Sequence, residues 1–172
     1  MNARQNTDLI LHRLSTLPKK LLKFQHTQYL SDFLLHELCQ DCFTLSRAAY
    51  LVDNPDFNCL QGVSGFWSSE VYAADCWQQP DLFIKHMQKA PYNQRVKNYS
   101  RCSLKKESLL DSTIINSVAK DLNFVNPAFH DFELKHDNHG LFIFEKPSKC
   151  DLIDEHLENS LYYFSFCPIT HS

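Results

Sequence analysis

The sequence predicts a helix-dominated α+β fold with a small antiparallel sheet, and three observations carry that reading. Apolar residues recur at helical spacing near both ends of the chain and again between 110 and 122. A late segment, 129–145, alternates apolar and polar residues around a turn, as a β-hairpin does. Hydrophobic residues make up 44% of the chain and charged ones 22%, a globular balance. With 172 residues the chain is most simply one domain, 1–172, long enough to bury an ordinary core.

Taken in order, Thr7 is placed to cap a first helix whose Ile10, Leu14 and Leu17 share a face, and Pro18 restarts the chain as a first-turn residue. From Thr27, Leu30, Leu34 and Leu38 recur at intervals of four, with Tyr29 and Phe33 beside them, predicting an amphipathic helix. Ala48 to Val52 reads as a short strand ended by Asp53-Asn54-Pro55. Ser68 or Ser69 opens a helix that runs through Glu70 to Trp77. Pro80-Asp81 opens another, which Pro91 stops.

Residues 91–103 show no period and read as loop. Leu110, Ile114, Val118 and Leu122 give the clearest helical stripe of the chain. Two strands follow, Phe129 to Lys135 with Phe132 and Leu134 inward, and Leu141 to Phe144, apolar on both faces. Asp137-Asn138-His139-Gly140 is the expected reversal between them, with glycine at the left-handed position. A last helix starts at Asp151 and aligns Ile153, Leu157 and Leu161. It ends in Tyr162-Tyr163-Phe164, which equally suits a strand.

Composition narrows function. Only three glycines occur, against an average near ~7% of residues. Neither a dinucleotide fingerprint nor a P-loop can be written, because both need glycines for tight turns around phosphates. No serine nucleophile elbow or Ser-x-x-Lys is present. Near the N-terminus the longest apolar run, Leu9-Ile10-Leu11, is too short for a signal core or a membrane span. Together with an odd seven cysteines this predicts a cytoplasmic protein with reduced thiols and no membrane contact.

Charge is distributed unevenly. Residues 82–106 carry seven cations and no acid, whereas 1–81 hold six basic and nine acidic residues and 107–172 hold four and eleven. Such a segment meets something anionic, either a partner or the protein's own acidic part. As a contact surface it would use Lys85, Lys89, Arg95, Lys97, Arg101, Lys105 and Lys106 for charge, and Tyr92 and Tyr99 for area. The partner would be an acidic protein or a single-stranded nucleic acid, whose bases stack on aromatic faces. Internal pairing with the acidic stretch Asp151, Asp154, Glu155 and Glu158 is the competing reading. The function expected from this segment is that of a non-catalytic binding or regulatory module.

Two other constellations bear chemistry. His36-x-x-Cys39-x-x-Cys42 has a spacing that zinc accepts, with Cys59 or Cys76 as the fourth ligand, and predicts a metal- or thiol-dependent protein as the alternative function. Buried idle thiols are the commoner outcome for such cysteines. A redox role is disfavoured, because the pair follows a helical run and the helix dipole at that end opposes thiolate. Glu133-Leu134-Lys135 matches half of a metal-dependent nuclease strand, with Asp111 or Asp121 as the missing carboxylate. The polar face of a half-buried strand explains it as well.

Overall fold

The computed structural model describes residues 3–24, 26–54, 56, 58–102, 111–135, 138–145 and 154–168. Helix α1 (Ala3–Lys23) leads to α2 (Leu30–His36), which continues as a π-helical segment, Glu37–Cys42. Strands β1 (Arg47–Asn54) and β2 (Cys59–Trp67) follow, then α3 (Pro80–Met87), α4 (Pro91–Lys97) and the short β3 (Ser100–Cys102). Helix α5 (Ser112–Asp121), strands β4 (Pro127–Glu133) and β5 (His139–Glu145), and α6 (Asp154–Leu161) complete the described elements.

The strands form one antiparallel sheet in the order β3-β2-β1-β5-β4. Central β1 is buried on both sides, so its residues alternate between two cores. Ala48, Tyr50 and Val52 join α1, α2, α3 and α6 on one face, with Phe33, Phe83, Leu157 and Phe164 among the packed side chains. Ala49 and Leu51 join α4 and α5 on the other, against Tyr92, Val96, Ile115 and Val118. Helices therefore cover both faces of an antiparallel sheet, which explains why β5 reads as a continuous apolar run instead of an alternating one.

The α+β class and the terminal β4–β5 hairpin agree with the sequence reading. So do β1, α3, the α5 stripe and the helix from Leu30. Asp111 caps α5 by accepting the Thr113 amide proton at 2.8 Å.

Several elements differ. Helix α1 is continuous, with Pro18 inside it. The Ser68–Trp77 helix is only a 3-10 turn, Ser68–Glu70, because the preceding residues continue a strand. That strand, β2, is hidden in sequence by Gln61, Gly62, Ser64 and Gly65, poor strand formers that break the alternation. Most of the described stretch 91–102 is not loop: Pro91 occupies the first turn of α4, a role as natural for proline as stopping α3. Strand β3 follows at once, and the sheet is larger than expected for that reason.

Gly140 lies in β5 opposite Phe132, not at a left-handed turn position, and no described glycine has positive φ. It leaves room for the Phe132 ring. Tyr162-Tyr163-Phe164 belong to a 3-10 turn, Tyr162–Phe166, in place of a strand. Leu110, Asp137, Asp151 and Ile153 lie outside the described residues.

Two of the three glycines serve a single contact. Strand β3 pairs with β2 only at 59–61, leaving the edge of β2 from Gly62 onward to α4. A Cβ at Gly62 would fall 1.8 Å from the Val96 carbonyl oxygen, and one at Gly65 would fall 2.7 Å from the Val96 side chain. The backbone contact at Gly62 cannot be relieved by trimming a side chain. Gly62→Ala is accordingly expected to destabilise the protein by about 3 kcal/mol in urea unfolding, the upper range for overpacking, with no rescue by adding Val96→Ala. A loss within experimental error of zero would contradict this packing.

Candidate functional site

The close approach of α4 to β2 creates the polar centre of the molecule. Helix α2 is buried along its whole length, and Asp32 on it is only 2% exposed. A bare carboxylate at such a position would be strongly destabilising, so its partners define the local structure. Ser64 on β2 donates its hydroxyl to Oδ1 at 2.8 Å. Lys97 at the end of α4 places Nζ 2.6 Å from Oδ2. Asn93, one helical turn earlier, lies close enough to favour the charged carboxylate. Burial pushes the Asp32 carboxyl above the ordinary carboxylate range, against the pull of Lys97, Ser64 and Asn93 toward the charged form.

Asn93 is itself spoken for. Its carbonyl oxygen accepts the Gly65 amide proton at 2.8 Å and its amide donates to the Met87 carbonyl at 3.1 Å. Along the same edge, the Gly62 amide donates to the Tyr99 carbonyl at 2.9 Å. Thus α4 replaces a neighbouring strand along the open edge of β2, satisfying backbone donors that would otherwise be orphaned.

A cavity of about 250 Å³ opens beside this junction. Gln28, Tyr29, Ser31 and Asp32 line one side, and Gly62, Val63 and Lys97 the other. Its shape depends on a β-bulge. Tyr50 pairs with Ser64 and Leu51 with Gly62, so Val63 is the extra residue that bends β2 here. Tyr29 is fixed from two sides, by the Gln88 amide, which donates to its hydroxyl at 2.6 Å, and by the Lys97 ammonium, 5.5 Å from its ring centroid. The site therefore combines a buried anion, a cation that reaches solvent, an aromatic wall and a small volume. No protein-family model, no curated protein and no solved structure matches the chain. Function must be argued from this geometry.

The basic segment is partly engaged with the protein itself. Tyr92 is buried in the second core and gives no surface area. Arg95 donates to the Asp121 carbonyl and the Asn123 side chain, and Arg101 to the Ser117 hydroxyl. The Tyr99 hydroxyl donates to Asp121. Self-pairing within the protein is thus seen at Lys97, whose anion is Asp32 on α2. Lys85 and Lys89 are exposed, Glu155 and Glu158 on α6 are exposed, and Lys105 and Lys106 lie outside the described residues. Charge counting found Lys97 for the wrong reason and passed over Asp32, whose place on an apolar helical stripe was its only signal.

The structure does not gather His36, Cys39, Cys42 and Cys59. Among the described residues no group of three His, Cys, Asp or Glu side chains stands close enough to hold a metal ion. Cys59 is instead bonded to Cys102 across β2 and β3, a disulfide where reduced thiols were expected, because the register places the two residues opposite each other. Cys39 and Cys42 are buried on the π-helical segment, and burial raises both thiols, Cys42 to about 12. They pack as apolar groups, far from the thiolate form that metals and disulfide exchange require. The Glu133 and Lys135 side chains are exposed, Asp111 is a helix cap and Asp121 accepts from Tyr99, so the nuclease-like carboxylates do not assemble.

His36 does meet Cys76. Its Nδ1 lies 3.4 Å from the Cys76 sulfur, while its Nε2 accepts the Tyr72 amide proton at 3.3 Å. Burial lowers its pKa to about 4, with Asp41 opposing and His86 adding to the shift. In the unfolded chain the ring takes a proton near 6.5. Stability present above that pH is therefore lost as pH falls toward 4. Between pH 7.5 and 4.5, wild type should lose about 2 kcal/mol more than His36→Gln in urea unfolding. Equal acid sensitivity of the two proteins would refute the assignment.

Proposed function

We propose that this chain is a non-catalytic binding module whose ligand is a small polar molecule held in the cavity between α2, β2 and α4. The observation that carries this reading is the pairing of Asp32 with Lys97 at the wall of that cavity. A buried ion pair is poor value as a stabilising device, since an apolar contact of the same size does as well or better. Where such a pair lines a concave site and carries a shifted carboxyl, ligand recognition is the reading best supported on physical grounds. The cavity also joins elements distant in sequence, so a ligand there would bear on the packing of α4 against β2.

A contact with an acidic protein or nucleic acid through 82–106 is the second reading, and the burial of Tyr92 and the pairing of Lys97 with Asp32 narrow what such a surface could offer. Lys85, Lys89 and Arg95 stay exposed for it.

The cavity reading is tested by recording amide NMR spectra of the protein against a library of small polar fragments. At least one fragment should shift the amides of Tyr29, Ser31, Gly62 and Val63 together and saturably. Fragments that bind only elsewhere, or none that bind at all, would refute it.

A further inference from the structure

The groups left open at the cavity say what charge its ligand carries. An ionised carboxylate has about four acceptor positions and an ammonium three donors. Asp32 accepts two hydrogen bonds, from Ser64 and Lys97. Lys97 uses one donor on Asp32 and turns its charge toward the Tyr29 ring. Two acceptor positions and two donors are thus unspent, on neighbouring groups of opposite sign, at a wall of the same cavity.

A ligand of single charge fits this wall poorly. A plain cation at Asp32 would be brought against the Lys97 ammonium, and a plain anion drawn by Lys97 would be brought against Asp32. A molecule bearing both charges on adjacent atoms avoids either conflict. Its ammonium takes a free acceptor of Asp32, its carboxylate takes the free donors of Lys97, and the site stays neutral. At about 250 Å³ the cavity is near the lower end of the range for small-molecule pockets, which suits a small ligand. Gln28 and Ser31 on the wall suit a polar side chain, and Val63 and the edge of Tyr29 suit its methylene part.

Building on the cavity reading above, we infer that the ligand is a small zwitterion of the α-amino acid class, its ammonium bound by Asp32 and its carboxylate by Lys97. Tyr29 and the bulged Val63 form the side-chain wall. Ser64 acts as a positioning residue that holds the Asp32 carboxylate in place.

Calorimetry and thermal unfolding with each standard L-amino acid, and with isopropylamine and propionate as probes lacking one charge, test this directly. At least one amino acid should give saturable heat and a raised Tm, and neither single-charge probe should do so. Lys97→Met should weaken that amino acid at least tenfold, while Lys97→Arg, which keeps the charge, should retain part of the affinity. Equal binding by isopropylamine or propionate would overturn the inference without recourse to any variant. Binding of polar fragments at Gly62 and Val63 with no response to any amino acid would overturn it while leaving the cavity reading intact. Failure of fragments and amino acids alike would remove both.

Discussion

The carboxylate of Asp32 is the point at which three separately folded pieces of this protein are made to agree. It leaves the buried helix α2, receives Ser64 from the bulged strand β2, and receives Lys97 from α4. A carboxylate so deeply buried is tolerable only with all of these partners in place. Each of them in turn depends on its own element being correctly seated. Ser64 points at Asp32 because the bulge at Val63 sets the register of β2 against β1. Lys97 reaches it, and Asn93 one turn earlier reaches the Gly65 amide, because both lie on a helix laid along the open edge of that strand.

That helix could not approach so closely over ordinary residues. Gly62 and Gly65 lie beneath Val96, and the chain has only one other glycine. The scarcity that argues against phosphate-binding loops therefore has a positive counterpart, since the chain places glycine where backbone meets backbone. The same approach lets Asn93 and Tyr99 satisfy the amides of Gly65 and Gly62, so the edge of β2 is closed by a helix instead of a strand. The cavity lies beside this arrangement, between Gln28, Tyr29, Ser31 and Asp32 around the start of α2 and Gly62, Val63 and Lys97 across from them. A ligand there would touch the junction on which the seating of α4 depends.

How much of this the sequence reveals follows from how local each cause is. The stripes of α2 and α5, the start of α3 and the β4–β5 hairpin are specified by residues within a few positions of one another, and they are legible. Strand β2 is not, because its two glycines and its bulge answer to Val96, more than thirty positions away. Pro91 is ambiguous for a related reason, as it can end α3 or begin α4 and only the sheet edge decides. The site divides in the same way. The excess of cations around Lys97 stands out in a charge count, whereas Asp32 is one acid on an apolar helix and acquires meaning only when Ser64 and Lys97 arrive beside it. Cysteine spacing misleads at His36, Cys39 and Cys42 because a buried helix packs thiols as readily as it presents them.

The central claim, that Asp32 and Lys97 are energetically coupled across the α2–α4 junction, is open to a double-mutant cycle. Urea unfolding of wild type, Asp32→Asn, Lys97→Met and the double variant isolates their interaction from the effect of each substitution alone. With one partner buried and the other reaching solvent, the coupling should be about 1–3 kcal/mol, between an exposed pair and a fully buried one. Additive losses, with a coupling near zero, would mean that the two groups merely lie close together, and the account of the junction would fail.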